Sequence, residues 1–149
     1  NGIMNLMAYQ NSDGEITIQL ESIEERGWFH RQRCYSFSIV HQNIRVGYVD
    51  YRTGPYEIIY YAGNIGYRIG FAYRGHHYAL KATRLLLEFV NEYELAYSVF
   101  ITCSPENMPS RKTIEKLPTR FLEEVDVPRS HWLYKRGEKR KRIYVIDLV

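Results

Sequence analysis

The sequence predicts a mixed α/β (α+β) fold, and two changes of hydrophobic pattern along the chain carry this prediction. Up to residue 72, apolar residues alternate with polar ones or form short β-branched and aromatic runs, which is typical of strands. Over residues 78–94 they recur at three- and four-residue spacing, which indicates an amphipathic helix. Strand patterns then return, so the expected order is β-β-β-β-α-β-α-β-β, with helices only in the second half and parallel strands at the first crossover.

Length and composition indicate one globular domain over residues 1–149. Of the 149 residues, 45% are hydrophobic and 25% are charged, which is the ordinary balance of a folded protein. Charges interrupt every apolar stretch before it reaches the length of about 18 residues that a membrane helix needs. The first ten residues lack a signal-peptide pattern, and the two cysteines cannot form a disulfide framework or a four-ligand zinc site. These features favour a cytoplasmic protein without a metal or a membrane partner.

The first half of the chain is interpreted as strands joined by turns. Gln42 and Asn43 are expected to form a tight hairpin between two β-rich runs, residues 34–41 and 44–51. The charged residues 21–33 are expected to form a short helix or a loop. Residues 57–72 are expected to be β-rich, with glycines that mark a bulge or a close approach.

The second half alternates helices and strands. The expected elements are a helix over residues 78–94, a strand over 97–102, a helix over 108–117, and strands over 121–127 and 143–149. Asn107 is expected to cap the second helix, because asparagine accepts hydrogen bonds from the free N–H groups at a helix start. Residues 135–142 hold six basic residues and one acidic residue and are expected to form a basic loop.

The most informative stretch is residues 73–79, Tyr-Arg-Gly-His-His-Tyr-Ala, which joins a strand to the long helix. A strand, a short turn and a helix start leave backbone N–H groups unpaired at the positive end of the helix dipole. Such a turn binds phosphate or pyrophosphate without particular side chains, and Arg74 adds a positive charge beside it. On spacing alone, an ordinary strand-to-helix connection with an exposed Arg-Gly pair remains the alternative.

This stretch resembles the acetyl-CoA-binding loop of the GCN5-related N-acetyltransferases, whose motif is Gln/Arg-x-x-Gly-x-Gly/Ala. Arg74 matches the first position of the motif and Ala79 the last, while His77 stands in place of the middle glycine. Residues 103–117 resemble a second motif of the family, N-x-x-S followed by a helix that ends in E-K-L. The resemblance covers roughly residues 63–124 and implies a mostly antiparallel mixed sheet, flanking helices and a parallel pair of central strands that splay apart.

The resemblance implies an acetyl-CoA site between the splayed strands. The pantetheine arm would lie along the strand backbone, and the diphosphate on the N–H groups of the loop. The implied contact residues are Tyr67, Ile69, Phe71, Arg74, Gly75, His76, His77, Tyr78, Ala79, Asn107 and Ser110. Gly66 and Gly70 are expected to permit the close approach because they lack a Cβ. Since the loop contacts are to the backbone, His77 can replace glycine if its side chain points away and its φ is negative, and a positive φ would strain it.

By the same resemblance, the expected reaction is transfer of the acetyl group of acetyl-CoA to a primary amine by direct attack. The amine belongs to a small molecule or to a peptide N-terminus. Residues 64–72 contain no acid, although the family often has its general base there. Ile114 occupies the position of the tyrosine that often protonates the departing thiolate. The catalytic residues are therefore left open, with Tyr67, Glu57 and Tyr134 as candidates and Asp50 as the other carboxylate near in sequence.

Two alternatives stay open at this point. One is a non-catalytic acyl-CoA-binding module of the same fold, and the other is an RNA-binding protein that uses residues 135–142, although nucleic acid is not the expected partner. The acceptor pocket is expected to form from residues 21–33 and 128–141, with aromatic walls from Trp28, Phe29, Trp132 and Tyr134. The acceptor and the oligomeric state, including a homodimer, are left open.

Overall fold

The structure is a computed structural model that describes residues 6–27 and 31–148. Strands β1–β5 form one antiparallel sheet in sequence order, and they span Gln10–Ser12, Thr17–Arg26, Gln32–His41, Ile44–Thr53 and Ile65–Ile69. Strands β6–β8 form a second antiparallel sheet in the order β6-β8-β7, and they span Ser98–Cys103, Thr119–Asp126 and Arg140–Asp147. Helices α1–α4 span Tyr56–Ala62, Tyr78–Glu92, Met108–Glu115 and Trp132–Lys135. Within the described residues, no helix is long and apolar enough to cross a membrane.

The core lies between α2 and one face of the larger sheet. Phe89 of α2 is fully buried and meets Phe37 of β3, with 4.9 Å between the ring centroids. Burial of a side chain of this size contributes about 1.5–3 kcal/mol to the free energy of folding. The other face of β4 carries Tyr48, Asp50 and Arg52, none of which is fully buried. This second face is therefore available for a ligand.

The strands β5 and β6 are neighbours that separate along their length. Asn64 joins them at one end: its backbone N–H donates to the Phe100 carbonyl at 2.8 Å, and its Oδ1 accepts from the Phe100 N–H at 2.7 Å. Farther along, the Tyr67 phenol of β5 is within electrostatic range of the Cys103 thiol of β6. Both residues follow the Asn64–Phe100 contact by three positions, so the two strands run in the same direction. The described residues contain no hydrogen-bonded ladder between them. This arrangement agrees with the predicted parallel pair that splays apart.

Several local predictions are confirmed. Gln42 and Asn43 both have positive φ, 50° and 65°, in a two-residue hairpin between β3 and β4. The long amphipathic helix is α2, and its apolar side faces the core. Asn107 caps α3 through its side chain, which accepts a hydrogen bond from the Ser110 N–H at 3.3 Å.

The prediction of a β-rich region over residues 57–72 is wrong for much of its length. Tyr56–Ala62 is the helix α1, which Pro55 precedes and Gly63 ends at a φ of 82°. The tyrosines and isoleucines of this segment favour strands by propensity, but their rings pack as a helix face on the second sheet, as Tyr60 does on Phe100. Helices therefore also occur in the first half of the chain.

The prediction of a helix or loop over residues 21–33 is also wrong where the structure describes it. β2 continues to Arg26, and β3 begins at Gln32. The charged side chains of this extension lie on the exposed part of the sheet and pair with one another, as Arg33 does with Glu25 at 2.6 Å. Trp28 and Phe29, expected to be walls of the acceptor pocket, lie outside the described residues.

Half of the predicted basic loop over residues 135–142 is regular structure. Lys135 ends α4, and residues 140–142 belong to β8. Arg140 pairs with Glu124 and Asp126, at 3.0 and 2.6 Å, and the Lys141 ammonium pairs with Glu138. Neighbouring carboxylates thus compensate much of the positive charge that the RNA-binding alternative requires.

Candidate active site

Residues 74–79, which we call the α2 loop, lead into the first turn of α2. Gly75 has a φ of 92° and His77 a φ of 60°, so the backbone passes twice through left-handed conformations. The first turn of α2 contains no acidic residue, and no side chain caps it. The positive end of the dipole of this 15-residue helix therefore faces the loop without a counter-charge from its own first turn.

The backbone N–H groups of the α2 loop are free to bind a ligand. Within residues 6–27 and 31–148, no protein acceptor bonds to the N–H groups of residues 75–79. Five free donors in one loop at a helix start are the arrangement that binds phosphate groups. This geometry favours the predicted diphosphate site over an ordinary connection.

A cavity of about 570 Å³, the loop cavity, lies between the α2 loop, β5 and α3. It brings together nine of the eleven predicted contact residues, namely Tyr67, Ile69, Arg74, Gly75, His77, Tyr78, Ala79, Asn107 and Ser110. The other two do not line it. Phe71 is 85% exposed in a 3₁₀ turn beyond β5, with the Arg74 guanidinium 5.5 Å from its ring centroid. His76 stacks on Tyr78, with 5.2 Å between the ring centroids.

The loop cavity also contains basic residues that the sequence reasoning missed. Lys112 of α3 and Lys116, directly after the C-terminal end of α3, line the cavity, as does Arg68 of β5. The two lysines are four residues apart and so share one side of the helix. That spacing, directly after the N-x-x-S motif, is the signal that would have identified them.

The side chain of Tyr67 connects β5 to α3. Its hydroxyl group forms a hydrogen bond of 2.7 Å with the Ser110 hydroxyl of α3. Burial raises the pKa of the Tyr67 phenol, so it stays protonated at neutral pH. Burial likewise raises the pKa of the neighbouring Cys103 thiol, which disfavours the thiolate form that a covalent acyl-cysteine would need.

The other two catalytic candidates lie away from this cavity. Glu57 is an exposed residue of α1, and Tyr134 of α4 packs against the Lys139 ammonium, 5.5 Å from its ring centroid. Neither lines the loop cavity.

Two further cavities lie on the second face of the larger sheet, and we call them the Asp50 cavities. The smaller has a volume of about 330 Å³ and the larger about 470 Å³. Both contain Ser36, Asp50 and Arg52, and the smaller one also contains Tyr67 and Arg68, which line the loop cavity as well. Three cavities therefore follow one another across the sheet.

Gly66 makes room for the side chains of the Asp50 cavities. It lies directly opposite Asp50 in the β4–β5 ladder. A Cβ on Gly66 would lie 2.5 Å from Asp50 Oδ1 and 3.1 Å from Arg52 Nη2. Gly66 is expected to allow the close approach of pantetheine. Its missing side chain also leaves space for the Asp50 carboxylate and the Arg52 guanidinium.

A family model for the acetyltransferase (GNAT) domain matches residues 4–118, which is more than half of the chain and includes the α2 loop and α3. The chain belongs to the GNAT acetyltransferase family. The resemblance that the two motifs carry is therefore confirmed.

Solved GNAT structures share this fold at low sequence identity. A GNAT-family acetyltransferase from Bacillus anthracis is 21% identical, with a TM-score of 0.60 over 76% of this chain and 66% of its own. A candidate ribosomal-protein-serine acetyltransferase from Vibrio cholerae is 16% identical, with a TM-score of 0.67 over 95% of this chain and 98% of its own. The microcin C7 self-immunity acetyltransferase MccE, solved with acetyl-CoA and AMP, is 16% identical, with a TM-score of 0.60 over 76% of this chain and 61% of its own.

The chain thus spans slightly less than two thirds of the Bacillus anthracis protein and about three fifths of MccE. No curated protein sequence matches it.

Two departures from the GNAT motifs have different structural consequences. Ile114, in place of a tyrosine, is fully buried and belongs to the core. His77, in place of the middle glycine, has a φ of 60°, so the condition of a negative φ is not met and the residue is strained. The loop adopts a left-handed conformation at this position, and histidine tolerates that conformation better than β-branched residues do.

We expect His77→Gly to stabilise the protein. A left-handed conformation costs a non-glycine residue about 1–2 kcal/mol, which the substitution removes. Glycine also has greater conformational freedom in the unfolded chain, which offsets part of this stabilisation, so we expect a net increase of about 0.5–1 kcal/mol in the free energy of unfolding. Thermal unfolding is the measurement. His76→Gly is the matched control, because His76 has no positive φ and should lose stability when replaced. Equal shifts for both variants would contradict this explanation.

Proposed function

We propose that this GNAT protein transfers an acetyl group from acetyl-CoA to a primary amine of a small molecule or a peptide N-terminus. The observation that carries the proposal is the set of five unbonded N–H groups at the start of α2, beside the gap between β5 and β6. MccE, which shares the fold, was solved with acetyl-CoA. The anion-binding loop and the strand gap are the two features that a diphosphate joined to a thioester arm requires.

The diphosphate and the pantetheine arm of acetyl-CoA have suitable partners around the loop cavity. The diphosphate would accept hydrogen bonds from the N–H groups of residues 75–79, beside the positive charges of Arg74, Lys112 and Lys116. The pantetheine amides would pair with the backbone of β5 between Tyr67 and Ile69, on the edge that faces the gap. The side chains of Phe71 and His76 do not line the loop cavity and have no part in this arrangement.

The reaction needs a neutral amine and a proton for the departing thiolate. The amine nitrogen forms a bond to the acetyl carbon, the C–S bond breaks, and its electron pair stays on sulfur. The nitrogen loses a proton in this step, and the sulfur gains one. Tyr67 is the proposed proton donor, because it lines both the loop cavity and the smaller Asp50 cavity and its phenol is protonated at neutral pH.

Tyr67→Phe is expected to lower kcat about 100-fold, which is within the range for loss of a general acid. The KM for acetyl-CoA should change little, because the strand backbone and the loop are unaltered. Tyr73→Phe, in another tyrosine of the loop cavity, is the matched control and should keep its kcat. An unchanged kcat for Tyr67→Phe in steady-state thiol-release assays would remove Tyr67 from the mechanism.

The function itself is tested with two measurements on the same protein. Acetyl-CoA should raise the melting temperature, since a ligand that binds only the folded state stabilises it. Release of free coenzyme A in the presence of a panel of primary amines should then reveal turnover. A melting shift without thiol release from any amine would favour the non-catalytic module. Salt-sensitive RNA binding without a response to acetyl-CoA would favour the RNA-binding protein.

A further inference from the structure

The Asp50 cavities contain polar atoms that the protein buries and leaves unpaired. Asp50 Oδ1 and Arg52 Nε are both buried, and neither has a hydrogen-bond partner among the described residues. Buried polar groups in native proteins almost always have partners, and the exceptions occur where a water molecule, an ion or a ligand completes a site. Two such atoms, on residues two apart on the same strand, therefore indicate a place that a ligand completes.

The remaining atoms of the two side chains hold them in position. Asp50 Oδ2 accepts a long contact of 3.6 Å from the Cys34 thiol. Arg52 Nη2 donates to the carbonyl groups of Ala62 and Ile65, at 3.1 and 3.3 Å, which fixes the guanidinium against α1 and β5. No protein acceptor within the described part of the chain bonds to Arg52 Nη1. The arginine is thus anchored on one side and has donors left for another group.

The larger Asp50 cavity is lined mainly by positive charges, which favour binding of an anionic ligand group at one end. Four arginines line it, and Asp50 is its one carboxylate among the described residues. Arg26 and Arg33 have their own partners in Glu24 and Glu25. Arg52 and Arg136 have no carboxylate partner within residues 6–27 and 31–148, and the Arg136 guanidinium lies 5.2 Å from the centre of the Trp132 ring. Asp50 lies opposite Gly66 and Arg52 beside Asn64, so Arg52 is farther than Asp50 from Tyr67 along β5. Arg136 lines only the larger of the two cavities.

The position of Asp50 relates this charge pattern to the reaction. The smaller cavity joins Asp50 to Tyr67, where the thioester would end if the protein binds acetyl-CoA as proposed above. An ammonium group beside Asp50 would lie between that thioester and the guanidinium groups. Because residues 50 and 52 are two apart on a strand, their Cα atoms are about 7 Å apart.

We infer that the acceptor is a small primary amine that carries a carboxylate or phosphate group a few bonds from its nitrogen, an inference that rests on the proposed acetyl transfer. Asp50 binds the ammonium group and takes one proton from it. Arg52 and Arg136 bind the anionic group. The neutral amine then attacks the thioester, the C–S bond breaks as the C–N bond forms, and the second proton leaves the nitrogen and ends on the coenzyme A sulfur.

The test compares matched acceptors with and without the anionic group. β-Alanine is paired with β-alaninamide, and O-phosphoethanolamine with ethanolamine, so the two pairs also separate a carboxylate from a phosphate. We expect at least one anionic acceptor to exceed its neutral partner about 100-fold in kcat/KM, which is the effect of a desolvated charge pair. Equal values within both pairs, or no turnover and no binding of either anionic acceptor in calorimetry with coenzyme A, would overturn the inference.

Variants locate the effect in named residues. Arg52→Gln and Arg136→Gln should lower kcat/KM for the preferred anionic acceptor at least about tenfold and leave its neutral partner unchanged. Arg136 is exposed, so its variant keeps the fold even where Arg52→Gln loosens α1. Asp50→Asn should lower kcat for both acceptors. Arg120→Gln, far from the cavities in an exposed pair with Asp147, is the control and should change neither value.

Equal losses for both acceptors in the two arginine variants would contradict an anion-binding role. The acetyl-CoA melting shift is measured on every variant and should persist. If acetyl-CoA does not raise the melting temperature of the unaltered protein, the proposed acetyl transfer itself is refuted. This outcome differs from a failure of the anionic-acceptor inference, in which the melting shift persists.

Discussion

Ala79→Glu is expected to abolish the stabilisation by acetyl-CoA and leave the unliganded protein folded. Ala79 lies in the first turn of α2 and lines the loop cavity. A carboxylate there would lie near the diphosphate, and two unit charges 4 Å apart repel by about 4 kcal/mol at an effective dielectric constant of 20. Since 1.4 kcal/mol corresponds to a factor of ten, affinity should fall at least about 100-fold.

The same substitution should not harm the helix. An acidic side chain in the first turn interacts favourably with the helix dipole by about 0.3–1 kcal/mol, and α2 has no acidic residue there. Ala79→Gln is the matched control, because it adds nearly the same volume without the charge. Thermal shift and equilibrium binding of acetyl-CoA are the measurements. Equal binding by the Glu and Gln variants would show that the negative charge has no effect, which contradicts a diphosphate at this loop.

Gly47→Ala is expected to cause the largest loss of stability among single glycine substitutions in the larger sheet. Gly47 of β4 is buried and lies opposite Ile69 of β5. A Cβ there would lie 2.2 Å from the Arg68 carbonyl oxygen and 3.0 Å from Ile69 Cα. These are backbone atoms, so the clash is relieved only if β5 moves. We expect a loss of about 3 kcal/mol, at the upper end of the range for overpacking, and a fall in Tm of about 6–12 °C.

Because β5 forms one wall of the loop cavity, Gly47→Ala should also weaken acetyl-CoA binding. Gly54→Ala is the control: its Cβ would meet the flexible Gln32 side chain at 3.2 Å, and its φ is not positive. Gly54→Ala should change the free energy of unfolding by less than about 1 kcal/mol. A similar Tm for the two variants, measured by thermal unfolding, would contradict the tight β4–β5 contact.

Local features with a short-range cause were predictable from the sequence. The alternation in β2, the Gln42–Asn43 turn, the amphipathic pattern of α2 and the Asn107 cap each depend on a few neighbouring residues. The α2 loop belongs to the same class, because its free N–H groups follow from the start of a helix after a turn. Most of the predicted contact residues that line the loop cavity accordingly belong to the α2 loop and to the start of α3.

Features that depend on partners distant in sequence were not predictable in the same way. Tyr56–Ala62 has strand propensity but forms a helix because its rings pack on distant partners. Tyr60 packs on Phe100 of β6, and Tyr61 packs on His131, directly before α4. The basic residues of β8 lose their apparent role once Glu124 and Asp126 lie opposite them. The relation of Asp50 to Gly66 depends on the register of β4 and β5, which no single segment encodes.

The most direct test of the account is a crystal structure of the protein with coenzyme A. We expect the diphosphate oxygens to lie within hydrogen-bond distance of the backbone nitrogen atoms of residues 75–79. The pantetheine arm should lie between β5 and β6, with its sulfur near the Tyr67 hydroxyl. A coenzyme A molecule bound elsewhere, with those five N–H groups still free and the strand gap empty, would contradict the central claim.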